Sequence, residues 1–121
     1  MTAKKTLVLG ASLNPQRYSY LAINSLVSHN QPVVAIGLKG GTLNGVDIDT
    51  GMPNYERIDT VTLYLNPRRQ QEYYDYIIAL KPKRVIFNPG TENPEFYKLL
   101  RDQNIDVKPA CTLVMLNSNQ Y

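Results

Sequence analysis

The run Gly10-Ala11-Ser12-Leu13-Asn14-Pro15-Gln16-Arg17-Tyr18-Ser19 concentrates groups that bind anions. A glycine lets a ligand approach the backbone closely. Ser12, Asn14 and Ser19 add polar donors beside the start of a helix, where free N–H groups and the macrodipole stabilise negative charge. The spacing is not G-x-G-x-x-G, because only the first glycine is present. Nor is it G-x-x-x-x-G-K-[ST], which excludes a nucleotidase phosphate loop. An ordinary strand-to-helix turn and a helix-terminus anion site both fit these residues.

A second group is Gly37-Leu38-Lys39. A site for NAD needs an acid near such a strand end to hold the ribose 2′-hydroxyl. Here no acid occurs before Asp47. A lysine suits an extra ribose phosphate instead, either the 3′-phosphate of coenzyme A or the 2′-phosphate of NADP. A solvated loop lysine is the competing reading. Further along, Asn66-Pro67-Arg68-Arg69 puts two cations in a helix's first turn, where each opposes the macrodipole by a few tenths of a kcal/mol. Arg17, Lys39 and Arg68 together predict one positive rim. Asn88-Pro89-Gly90 ends a strand, and Asn93-Pro94 caps a helix. The same residues could equally wall a crevice.

Other chemistry is sparse. His29 is the only histidine and sits at a helix end. Cys111 is the only cysteine, so it predicts a small buried thiol, no internal disulfide and a cytoplasmic setting. No thiol or His/carboxylate spacing suggests a metal site. Asp47 and Asp49 read as solvated. The nine tyrosines lack interleaved basic residues, which argues against stacking on nucleic acid. No catalytic residue emerges, so the expectation is a binding protein. An NADP-dependent or acyl-CoA-handling enzyme and a ligand-sensing regulatory module are the alternatives.

The elements that must position these residues alternate. Short apolar runs at residues 6–9, 33–36, 61–65, 84–87 and 105–107 read as strands. Residues 18–29 read as a helix with Ala22, Ile23, Leu26 and Val27 on one face. Helices open again at Pro67, with Tyr73, Tyr76, Ile77 and Leu80 at i, i+3, i+4, i+7, and at Pro94. Residues 39–57 read as an irregular glycine-rich loop with room for a short hairpin and a helical turn. Residues 111–116 fit a strand or a short helix.

Alternating strands and helices predict an α/β protein. The expected form is a single Rossmann-like, doubly wound, mostly parallel five-stranded sheet of order 3-2-1-4-5, with helices on both faces. Ligands in such sheets bind beyond the carboxyl ends of the strands, where strand order reverses. That rule selects residues 10–19, 37–41, 66–69 and 88–93.

Composition agrees. Hydrophobic residues at 43% argue against disorder, and 121 residues suit one domain. No apolar run could cross a bilayer, so no membrane association is expected. After Lys4 and Lys5 the apolar stretch at residues 7–9 is too short for an export signal. The net charge of +3 suits an anionic small molecule without demanding nucleic acid. Small domains of this class often pair, which leaves a homo-oligomer open.

The turn Gly10-Ala11-Ser12-x-Asn14-Pro15, followed by Arg17 and Ser19-Tyr20, resembles the start of the small stand-alone coenzyme A-binding domain proteins of bacteria and archaea. These are relatives of the nucleotide-binding domain of the succinyl-CoA synthetase alpha subunit. Lys39, Gly45, Pro67, Gly90, Asn93 and Cys111 match further positions of the pattern. Gly37 and Leu38 stand where the family has Asn-Pro, and Asn88 stands where it has Gln. The resemblance implies a Rossmann-like domain that holds the adenine nucleotide part of coenzyme A or an acyl-CoA. On that pattern the backbone of Gly10, Ala11 and Ser12 holds the pyrophosphate, and Arg17 and Lys39 neutralise phosphates. Leu38, Asn66 and Pro67 would flank the adenine, while Asn88 and Gly90 would border the pantetheine. It does not imply catalysis, because the synthetase's phosphohistidine lies in a separate domain.

Overall fold

The computed structural model describes residues 3–121. Met1 and Thr2, which open the segment considered above as an export signal, lie outside the described residues. The first strand, β1 (Thr6–Ala11), has Thr6, Leu7, Val8 and Leu9 with no exposed surface, which explains its unbroken apolar run. Helix α1 (Tyr18–Ser28) leads to β2 (Val33–Gly37). A hairpin follows, β3 (Gly41–Leu43) and β4 (Val46–Asp49). Its two-residue turn is Asn44-Gly45, both with positive φ (51° and 79°), as a tight hairpin turn requires. Next come β5 (Thr60–Leu63), α2 (Pro67–Gln70), a single 3-10 turn (Gln71–Tyr73) and α3 (Tyr74–Leu80). The chain ends with β6 (Arg84–Phe87), α4 (Pro94–Asp102), β7 (Asp106–Pro109) and α5 (Thr112–Asn117).

The α/β class, the mostly parallel sheet and helices on both faces are as expected; the strand count and order are not. The sheet has seven strands in the order β3-β4-β2-β1-β5-β6-β7, and only β3 and β4 pair antiparallel. The expected order 3-2-1-4-5 put the strand at residues 61–65 beside β2. That strand, β5, instead pairs with β1, from Thr6 opposite Thr60 to Leu9 opposite Leu63. The place beyond β2 belongs to β4, with Ala35 opposite Ile48. The physical reason is the hairpin inside the glycine-rich segment. Val46 and Ile48 point inward from a four-residue strand and cover that edge of β2. Residues 50–59 then return to the other side of β1 without a helical turn. The six parallel strands thus keep the doubly wound pattern, with β4 as its third strand and the reversal between β1 and β5.

Two other expectations change. The helix opening at Pro67 is not continuous, because it breaks into α2, the 3-10 turn and α3. Gln70, fully buried, donates from Nε2 to the carbonyls of Leu65 and Thr91 at 2.8 Å each, which pins the first turn to the loops after β5 and β6. Residues 111–116, left open above, fall in helix α5.

The core has two layers. Leu7, Leu9, Ile36, Val61, Leu63, Val85 and Phe87 pack against Ile77 of α3 and Phe96 and Leu100 of α4. Val8, Ala35, Ile48 and Ile86 pack on the other face against Ile23 and Leu26 of α1 and Leu116 of α5. Helices α1 and α3 therefore pack on opposite faces of the sheet, and a crevice opens between the start of α1 and the start of α2.

Candidate functional site

A cleft of about 640 Å³ lies at that crevice, within the roughly 300–1,000 Å³ typical of small-molecule sites. Its floor is the end of β1. Gly10 has φ of +97°, and a Cβ there would lie 3.0 Å from the Tyr64 carbonyl carbon. The glycine makes a bulge, so that Leu9 faces Ile36 while Ala11 faces Gly37. Gly37 is needed for a different reason. Its φ is ordinary, but a Cβ would come within 2.4 Å of the Ala11 carbonyl oxygen.

The loop after β1 is shaped by its own polar side chains. Ser12 Oγ accepts from the Asn14 N–H at 3.0 Å, and Asn14 Oδ1 accepts from the Gln16 N–H at 3.0 Å. These two side chains, expected as donors beside a ligand, serve as acceptors that turn the chain into α1. Helix α1 itself begins at Tyr18, after an extended Arg17, without a side-chain cap and without an acid in its first turn. In contrast, Asn66 caps α2 by accepting from the Arg69 N–H at 2.9 Å, and Asn93 caps α4 by accepting from the Phe96 N–H at 3.2 Å. Helix α1 thus opens into the cleft without a side-chain cap, beside the capped start of α2 at Asn66, and its free N–H groups are suited to negative charge.

The opposite wall is held by a buried amide network. Besides the Gln70 bonds to Leu65 and Thr91, Asn93 Nδ2 donates to Gln70 Oε1 at 2.9 Å and to the Tyr74 hydroxyl at 2.8 Å. The loops after β5 and β6 are therefore tied together beside the cleft.

Of the residues singled out in the sequence, Gly10, Ala11, Ser12, Asn14, Arg17, Ser19, Gly37, Leu38, Lys39, Asn66 and Gly90 line the cleft. Pro67, Arg68 and Asn88 do not. Arg69 lines it in place of Arg68, which is exposed outside it. The positive rim is therefore Arg17, Lys39 and Arg69, and no lining residue is a carboxylate. Asn88 is turned inward and fully used. Its Nδ2 donates to Thr62 Oγ1 at 2.7 Å and the Leu63 carbonyl at 2.9 Å, and its Oδ1 accepts from the Thr112 N–H at 2.9 Å. It joins β5, β6 and the start of α5.

Leu13, Tyr18, Pro89 and Thr91 also line the cleft, within segments the strand-end rule had selected. Ile36, Tyr64, Leu65 and Tyr73 lie outside those segments. The signal for Tyr73 was its i+4 spacing from Arg69. Burial pushes the Tyr64 phenol up to about 12, while hydrogen bonds with Thr112 and Thr62 pull the other way. The Tyr73 phenol is also raised, by burial first and then by Glu72, with Arg69 opposing. Both phenols are neutral at ordinary pH. The cleft's charge comes from its three cations.

The sequence profile of the CoA binding domain family matches residues 4–117. The chain belongs to that family. No curated protein matches it. Among solved structures, the crystal structure of an uncharacterised protein is 47% identical over the whole of both chains, with a TM-score of 0.97. The Thermus thermophilus protein cell-free ID.343 is 24% identical, with 98% of this chain and 91% of that one covered and a TM-score of 0.86. A hypothetical protein from Pyrococcus horikoshii OT3 is also 24% identical, over 96% and 83% of the two chains, with a TM-score of 0.86. At that identity the last two speak for the fold alone. Among the described residues no helix is long and apolar enough to cross a membrane.

Proposed function

We propose that this protein binds coenzyme A or an acyl-coenzyme A in the cleft between β1 and β5, as a holder or ligand-responsive module rather than a catalyst. The carrying observation is a switch-point cleft faced by an uncapped helix start and three cations, with no carboxylate in its lining. Coenzyme A is a polyanion, and a positive concave site raises its local concentration. Backbone N–H groups of Gly10, Ala11 and Ser12 and the start of α1 take the pyrophosphate, with Arg17 beside them. Lys39, beyond the end of β2, takes the ribose 3′-phosphate. Leu38, exposed by 76%, offers an apolar surface to the adenine opposite Asn66. Pro89, Gly90 and Thr91 border the pantetheine, and Asn88 supports that wall from beneath. No lining residue is a carboxylate, imidazole or thiol, which favours holding over turnover.

Isothermal titration with coenzyme A, acetyl-CoA, NADP and NAD tests this reading. Coenzyme A binds and the dinucleotides bind at least tenfold more weakly. Lys39→Glu weakens coenzyme A by about tenfold or more, since it replaces attraction with repulsion of a phosphate. Equal affinity for NADP, or no coenzyme A binding at all, refutes the proposal.

A further inference from the structure

We infer, resting on the coenzyme A reading above, that Arg69 and not its neighbour Arg68 grips the ligand's diphosphate from the wall opposite α1. The topology sets up the opposition. Helix α1 leaves β1 toward one face of the sheet, and the α2–α3 segment leaves the adjacent β5 toward the other. Arg17 and Ser19 line the cleft from the first side, and Arg69 and Tyr73 line it from the second. A diphosphate above the end of β1 lies between them.

Arg69 is held firmly. Its N–H is bound by the Asn66 cap at 2.9 Å, and the next residue, Gln70, is fully buried and bonded to two carbonyls. Its side chain is half-buried, whereas Arg17 and Lys39 are exposed. Attraction between charges grows as water is excluded, so Arg69 is the strongest of the three toward an anion in the cleft. Among the described residues the one ion pair joins Lys83 to Asp59, so Arg69 is not engaged in a salt bridge. Its planar fork matches two phosphate oxygens at once. Lys39 lies past β2, two strand spacings from β5, which is roughly 10 Å. Lys39 and Arg69 thus address different phosphates: the ribose phosphate and the diphosphate.

Titration calorimetry at one salt concentration, with coenzyme A and with dephospho-coenzyme A, separates the two. Dephospho-coenzyme A keeps the diphosphate and lacks the ribose 3′-phosphate. Arg69→Gln weakens both ligands by the same factor, about tenfold, as expected for a lost charged hydrogen bond. Lys39→Gln weakens coenzyme A and leaves dephospho-coenzyme A within twofold. Arg68→Gln changes neither. Arg69→Lys keeps the charge without the fork and loses about threefold on both, which covers the case of an unfolded glutamine variant. Unchanged binding by Arg69→Gln, a loss confined to coenzyme A, or a loss from Arg68→Gln instead overturns the assignment. If the unmodified protein binds neither ligand, the coenzyme A reading fails, and the Arg69 assignment with it.

Discussion

Gly37→Ala is the most demanding probe of the cleft floor. The glycine's φ is ordinary, so the substitution carries no intrinsic backbone strain. The added Cβ would meet the Ala11 carbonyl oxygen at 2.4 Å, the Ile48 Cγ2 at 3.0 Å and the Ala11 carbonyl carbon at 3.2 Å. An ordinary contact begins at 3.4 Å, so the ends of β1 and β2 must separate by about 1 Å. Two of those atoms are backbone in a paired strand and cannot rotate away. Overpacking of this kind costs about 1–3 kcal/mol. For a chain of this length each kcal/mol is worth about 3–6 °C, so the melting temperature falls by roughly 3–18 °C. Ala11 and Gly37 both line the cleft, so coenzyme A affinity falls as well. Gly40→Ala is the control. Its Cβ meets nothing closer than 3.4 Å and its φ is not positive, so stability is unchanged or slightly raised. Thermal unfolding followed by circular dichroism reads both variants. A Gly37→Ala melting temperature within 2 °C of the parent would refute the close-approach reasoning.

Other substitutions test the supporting structure. Asn88→Ala removes three buried hydrogen bonds and strands the Thr112 N–H, which should lower stability by about 2–4 kcal/mol in urea unfolding. A loss below about 1 kcal/mol would mean that the amide does not hold β5, β6 and α5 together. Tyr121 is buried, shares a hydrogen bond with Thr6 and lies under the Arg84 guanidinium, 4.5 Å from its ring centroid. Tyr121→Ala should cost about 3 kcal/mol by the same assay, and a neutral result would dismiss that anchor. Burial pushes the Tyr64 and Tyr76 phenols from 10.0 up to about 12. The unfolded chain releases these protons first, so stability is full below pH 10.0 and is lost as pH rises to about 12. Tyr64→Phe should flatten that alkaline fall. A stability profile equally steep in the variant would remove Tyr64 as a source.

The elements were legible because their signals are local. The runs at β1, β2, β5 and β6 are buried on both faces, so each reads as a strand without knowledge of its neighbours. Asn66-Pro67 and Asn93-Pro94 announce helix starts through cap chemistry that needs only three or four residues. The strand-end rule also found most of the cleft, because a doubly wound sheet puts its ligand loops at one edge. The hairpin at β3 and β4 was harder to read. Its strands are three and four residues long and sit among glycines, so their periodicity is too brief to count as evidence of pairing.

By itself, the sequence determined the α/β class, the helix starts at Tyr18, Pro67 and Pro94, and the Gly10 turn. Each follows from patterning within about a dozen residues. Tertiary structure alone decided that β5 lies beside β1, because β4 had already covered the far edge of β2. It decided that Arg69 faces the cleft while Arg68 faces solvent, because the Asn66 cap and the buried Gln70 set the rotation of that turn. It turned Asn88 inward, where three groups from other elements needed a hydrogen-bond partner. It made Gly37 necessary through a carbonyl on a different strand. For β5, Asn88 and Gly37 the deciding partner is distant in sequence, and for Arg69 the distant part is the bond from Gln70 to the Thr91 carbonyl; these demands for space or for a hydrogen bond exist only once the sheet has formed.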